Sequence, residues 1–154
     1  YGDSVTGFFE FDGDGNNFTI QADPDNTYGI DNSDYNVDVT GNSNTFTLDT
    51  GTTALASGLD LDWIINGDSN TFDFDINYDG ATNYVDVDGD SNNVNFTGSG
   101  YAGGYFYLDQ TGNSRTFNII QSSTLAADWL QINSTGSNGT VCVVQNDGGV
   151  STSC

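Results

Sequence analysis

One short string recurs along the chain: DGDGNNFTI from Asp12, TGNSNTFTL from Thr40, NGDSNTFDF from Asn66, DGDSNNVNF from Asp88 and TGNSRTFNI from Thr111. A weaker copy, TGSNGTVCVV, starts at Thr135. The anchor glycines are Gly13, Gly41, Gly67, Gly89, Gly112 and Gly136, spaced by 28, 26, 22, 23 and 24 residues. A unit this small cannot bury its own hydrophobic face, so it has to stack on its copies. The repeats fill most of the 154 residues. One domain over 1–154 is therefore expected, with 146–154 as a C-terminal tail.

Offsets from the glycine define the unit. Four residues before it stand Phe9, Val37, Trp63, Val85, Leu108 and Ile132. Five after it stand Phe18, Phe46, Phe72, Val94, Phe117 and Val141, and seven after it Ile20, Leu48, Phe74, Phe96, Ile119 and Val143. The positions between are mostly Asp, Asn and Thr. This is period-two alternation on both sides of a Gly/Asn/Ser turn, so each repeat reads as a strand, a tight arc and a second strand, a hairpin with one face in. The expected fold is all-β: a cross-β type β-solenoid of six strand–turn–strand repeats of about 22–28 residues, with rungs about 4.8 Å apart. Like positions then form columns. The two at offsets minus four and plus five are expected in the core, and Asn16, Asn44, Asn70 and Asn92 are expected to form an asparagine ladder. The segments DPDNTYGIDN (23–32) and GTTALASG (51–58) read as surface loops. An antiparallel sandwich would also offer many short strands, but it does not require the same residue types at the same offsets six times.

The charge narrows the partners. There are 22 acidic residues and one basic residue, Arg115, for a net charge of −21. Nucleic acid and anionic membrane surfaces both need Lys and Arg, so neither is expected as a partner, and no apolar run approaches a membrane span. There is neither His for acid–base work nor a Lys nucleophile, and carboxylates are so abundant that no pair stands out as the two aspartates of a carbohydrate-cleaving β-helix would, so no enzyme is expected. There is no Met either. Residue 1 is therefore expected to follow from processing, by removal of a secretory leader or by trimming.

Residues 86–96, DVDGDSNNVNF, place Asp86, Asp88, Asp90 and Asn92 alternately, as a calcium loop would. Ser91 and Thr97 stand where an EF-hand needs Gly and Glu, and the flanks alternate like strands, so that reading fails. Asp14, Asp68 and Asp90 follow their anchor glycines and would form a like-charged column. Calcium or magnesium is the candidate bridge between such carboxylates, with diffuse screening by salt as the alternative; no other cofactor is expected. Cys142 occupies a polar, outward position of the repeat, and Cys154 is the other cysteine. A disulfide between them would fold the tail over the last rung, in keeping with an oxidising location. A bond between subunits and two free thiols are the alternatives. The sequons at Asn17, Asn95, Asn133 and Asn138 are expected by chance in so Asn/Thr-rich a chain.

The segment QTGNSRTFNIIQ, residues 110–121, carries Gln, then Gly two residues later, then Asn, and a second Gln, and Gln145 fits the second Gln position of the last repeat. In this the chain resembles curlin, the subunit of bacterial curli fibres, from about Phe9 to Gln145. It departs from that pattern where Phe11, Val39, Ile65, Val87 and Ser134 replace the first Gln, where Phe replaces a small apolar residue in four repeats, and where Arg115 and Gly139 replace turn asparagines. The resemblance implies a secreted β-solenoid that assembles with copies of itself, head to tail, into amyloid-like fibres at a cell surface or in a biofilm matrix. A phage or virion appendage, and a monomeric calcium- or glycan-binding module, are the alternatives.

Overall fold

A computed structural model describes residues 5–22, 32–50, 56–100, 103–123 and 127–147. The alternation of each repeat produces two strands that part company at the arc. One set consists of β1 (Thr6–Asp12), β3 (Asp34–Thr40), β6 (Asp60–Asn66), β8 (Thr82–Asp88), β10 (Tyr105–Thr111) and β12 (Trp129–Thr135). These six form one sheet in that order. The strands after the arcs are β2 (Asn17–Ala22), β4 (Thr45–Thr50), β7 (Thr71–Asp79), β9 (Asn93–Gly100), β11 (Thr116–Ser123) and β13 (Thr140–Asp147). They form the second sheet, where the short β5 (Ala56–Ser57) also pairs with β7.

Every pairing is parallel and joins one repeat to the next. The chain is thus an all-β solenoid of stacked strand–turn–strand rungs, and the antiparallel sandwich is excluded. The expected tight arc is present: the two strands of a repeat lie in different sheets and face each other across the core, and each pairs with its counterpart in the next repeat. Of the two segments read as loops, 23–31 and 51–55 lie outside the described residues, and Ala56–Ser57 is strand.

The register follows the glycine offsets. Phe18 pairs with Phe46, Phe46 with Phe72, Phe72 with Val94, and Phe117 with Val94 and Val141. On the facing sheet Phe9, Val37, Trp63, Val85, Leu108 and Ile132 align in the same way. A one-residue slip would turn every inward side chain to water, so burial holds this register. The middle rungs carry the core: Trp63 meets Phe72 and Phe46 edge-on at 6.1 and 6.2 Å, and Phe46 stacks on Phe72 at 5.2 Å. The end rungs are less covered. Phe9, Phe18 and Ile132 are only partly buried, and Val141, expected in the core, is 44% exposed, because no described rung lies beyond it.

Candidate functional site

The arcs are where the repeat sequence is most constrained, and they carry two hydrogen-bond ladders of opposite direction. In the inner ladder a main-chain amide donates to the asparagine Oδ1 of the following rung: Asn16 to Asn44 at 2.8 Å, Asn44 to Asn70 at 2.9 Å, Asn70 to Asn92 at 2.8 Å. The Nδ2 groups of Asn44, Asn70 and Asn92 donate back to the carbonyls of Gly13, Gly41 and Gly67. These amides are buried, and an unpaired polar group there would cost about 1–3 kcal/mol. The ladder joins the rungs at a point where no sheet does.

The outer ladder runs the other way. The amide of Asn42 donates to Asp14 Oδ1 at 2.6 Å, that of Asp68 to Asn42 Oδ1 at 2.8 Å, and that of Asp90 to Asp68 Oδ1 at 2.7 Å. Asn113 continues it to Asp90 Oδ1 at 2.6 Å, and Ser137 to Asn113 Oδ1 at 3.0 Å. Asp14, Asp68 and Asp90 thus each accept an amide from the next rung. Asn42 separates Asp14 from the others, so only Asp68 and Asp90 stand on adjacent rungs. Among the described residues no group of three or more His, Cys, Asp or Glu side chains is placed to hold a metal ion. The expected charge column of Asp14, Asp68 and Asp90 is interrupted by Asn42. The full set Asp14, Asn42, Asp68, Asp90, Asn113, Ser137 carries a side-chain oxygen at every rung, and that was the signal for the ladder.

The fifth and sixth rungs break the asparagine rule in a complementary way. Arg115, the only cation of the chain, is buried at the ladder position and donates from Nη1 to the Thr135 carbonyl at 2.8 Å. A Cβ on Gly139 would stand 3.6 Å from Arg115 Nη2, in van der Waals contact, so the guanidinium lies against the place where the repeat's asparagine side chain would start. The two departures from the repeat therefore fit one another. On the next rung position, Gln145 Nε2 donates to Gln121 Oε1 at 2.9 Å, and Gln110 Nε2 contacts Ser134 Oγ. Cys142 aligns with Asn118 on the outward face and is not a free thiol; Cys154 lies outside the described residues.

At the two ends the ladders and sheets stop. Among the described residues β1 and β2 pair on one side only, and so do β12 and β13. In the first rung Phe9, Phe11, Phe18 and Ile20 pack against the core and are only partly buried, and in the last Val141 and Val143 are 44% and 40% exposed.

Registered carboxylates load the outer faces. Asp34 pairs with Asp60, Asp86 with Asp109, and Asp49 with Asp75. Burial first, and then the neighbouring carboxylates, push Asp60, Asp75 and Asp86 above the ordinary carboxylate value of 3.8. A raised folded-state pKa means that the folded chain binds the proton more tightly than the unfolded chain does. This contribution favours folding below about the unfolded value and is lost as pH rises through the raised one. Acidification from neutral toward the ordinary carboxylate value is therefore expected to raise the urea midpoint of unfolding. A midpoint that fell over that range would mean that the carboxylates are held by hydrogen bonds more strongly than they repel.

Comparison of the chain with protein-family models, with curated proteins and with solved structures returned no match. What fold and ladders define is a class: an acidic parallel β-solenoid, consistent in general shape with curlin-like repeats. A solenoid of this class could self-assemble or serve as a fibrous or adhesive module.

Proposed function

We propose that the chain is a structural subunit of a secreted, curli-like fibre that grows head to tail and serves matrix formation or surface adhesion. The observation that carries this reading is the pair of end rungs that, among the described residues, pair on one side only, each with apolar columns in the same register. A second copy placed beneath the last rung would set its Phe9 under Ile132, its Phe18 under Val141 and its Ile20 under Val143. It would also extend both ladders. The Gly139 amide would meet Asn16 Oδ1 of the next copy, and the next copy's Asp14 amide would meet Ser137 Oγ. A heterologous contact of this kind generates a filament unless its rotation closes a ring. The glutamines at 110, 121 and 145 support the curlin-like form of the proposal.

Filaments with strands across the axis and a meridional spacing near 4.8 Å are the expected result at high concentration and salt. The Asp34 amide donates to the Val5 carbonyl and the Thr45 amide to the Asn16 carbonyl, both toward the preceding rung. By strand alternation the Glu10 and Thr19 amides point to the open side of the first rung. Glu10→Pro with Thr19→Pro removes two donors that a neighbour needs while sparing the bonds to the second rung. The double variant should keep its β-sheet spectrum and form no filaments in electron micrographs. Wild-type protein that stays monomeric under the same conditions would overturn the proposal.

The tail belongs to the same reading. A Cys142–Cys154 bond would staple it over the last rung and suit an oxidising exterior, with at most about 3 kcal/mol of stabilisation for so short a loop. Non-reducing peptide mapping is expected to recover the two cysteines joined within one chain. Recovery only as an inter-chain bond would remove the staple.

A further inference from the structure

An outward sheet face in water ordinarily carries polar residues. The second sheet obeys: its outward columns through the first three rungs are Asn17, Thr45 and Thr71, and Thr19, Thr47 and Asp73. The first sheet does not. On its outer face Tyr84 stacks on Tyr107 with centroids 4.8 Å apart, and Tyr105 on Trp129 at 4.1 Å, the rings of both pairs nearly parallel. Tyr84 is 38% and Trp129 46% exposed. Carboxylates stand beside the rings: Asp62 pairs with Tyr84, and Asp86 with Asp109. Asn133 Nδ2 donates to the Tyr107 hydroxyl at 2.7 Å, and that hydroxyl donates to Asp109 Oδ2 at 3.3 Å. Over the first three rungs the same face holds a cleft of about 290 Å³ bounded by Phe8, Asn36, Asp38, Asp62 and Ile64.

We propose that this face binds a linear polysaccharide of amino sugars carrying free ammonium groups. Exposed rings and carboxylates one rung apart suit such a chain. The ring faces not engaged in the stacked pairs take the C–H surfaces of the sugar rings and attract the ammonium groups through their π-systems. The carboxylates accept the ammonium protons, and Asn133 and the tyrosine hydroxyls suit sugar hydroxyls. Charge decides among occupants. At −21 an anionic polymer is repelled. A second copy laid face to face would oppose Asp86 and Asp109 to their own kind. A neutral glycan would leave the carboxylates uncompensated. Burial and nearby carboxylates already push Tyr84, Tyr107 and Asp86 upward, the direction expected where negative charge lacks a counter-charge. The face is complete in one copy, so the inference does not depend on stacking.

The chain contains its own reporter. Trp63 is wholly buried and Trp129 is exposed, so a ligand that changes tryptophan emission without unfolding acts at Trp129. Titration with fully deacetylated glucosamine oligomers is expected to give a saturable, salt-sensitive change. Tyr84→Ala with Tyr107→Ala keeps the net charge and should weaken binding by about tenfold. Asp86→Asn with Asp109→Asn should weaken it as well. Asp49→Asn with Asp75→Asn removes the same charge from the opposite face and should not. A β-sheet spectrum checks that each variant is folded, and the aspartate pairs decide the matter should the tyrosine variant fail to fold. No saturable change, equal binding of N-acetylated oligomers, or equal binding of oligolysine would each overturn the proposal. The second result would mean a neutral glycan, and the third a surface that reads charge alone.

Discussion

Phe72→Asp is expected to leave the chain unfolded. Phe72 has no exposed surface and sits mid-stack, with Phe46 above it, Val94 below and Trp63 across the core. Truncating a buried phenylalanine alone costs about 3–5 kcal/mol. A carboxylate there adds several kcal/mol of unpaired burial, and Arg115, the only cation, is engaged two rungs away. Domains of this size are stable by about 5–15 kcal/mol, so the sum reaches most or all of that margin. The solenoid offers no local escape, because each rung is covered only by its neighbours. A rung lost in the middle separates two short stacks that each expose a fresh face. The far-ultraviolet spectrum of the variant should lose its β-sheet minimum. A native spectrum with an unchanged urea midpoint would show that Phe72 does not face inward.

The register was legible because it is written in residue type. A phenylalanine that must cover the phenylalanine of the next rung can stand at one offset only, so Phe18, Phe46 and Phe72 align in sequence as they do in space. The pairing partner of each strand came from the repeat and not from the alternation. Period-two alternation says which face is buried, but it is the same whether β1 pairs with β2 across a turn or with β3 in the next repeat. The parallel choice follows from long-range stacking, which no single repeat contains. The outer ladder escaped for a different reason. Asp14 and Asn42 differ in charge and look unrelated in a composition, yet each offers an Oδ1 to an amide. The fit of Arg115 to Gly139 lies further still from the repeat logic, since each residue looks like a defect until the other is placed beside it. The exposure of Val141 reflects position, because its residue type suits a core and only its place in the last described rung uncovers it.

The anchor glycines separate folding from assembly, and Gly13 against Gly67 is the sharpest comparison. Both hold φ near +140°, at 138° and 147°, where a side chain is strained by about 1–3 kcal/mol. They differ in what lies above them. A Cβ on Gly67 would overlap the carbonyl oxygen and carbon of Gly41 in the preceding rung, and backbone in a paired arc cannot move aside. A Cβ on Gly13 would meet only Asn16 Nδ2 at 3.5 Å, an ordinary contact, because no described rung lies before it. Gly67→Ala is therefore expected to cost several kcal/mol beyond the strain and to unfold the stack or leave it split. Gly13→Ala should cost the strain alone and remain folded, with a lowered urea midpoint. If copies stack head to tail, the Gly136 carbonyl of the copy above occupies, relative to Gly13, the place that Gly41 occupies relative to Gly67. The methyl of Gly13→Ala would then strike it. The expected outcome is a folded, monomeric Gly13→Ala protein that neither grows filaments nor extends wild-type seeds at their matching end. Filaments formed by Gly13→Ala at the wild-type rate would show that the first rung does not meet the last, whatever the assembly then is.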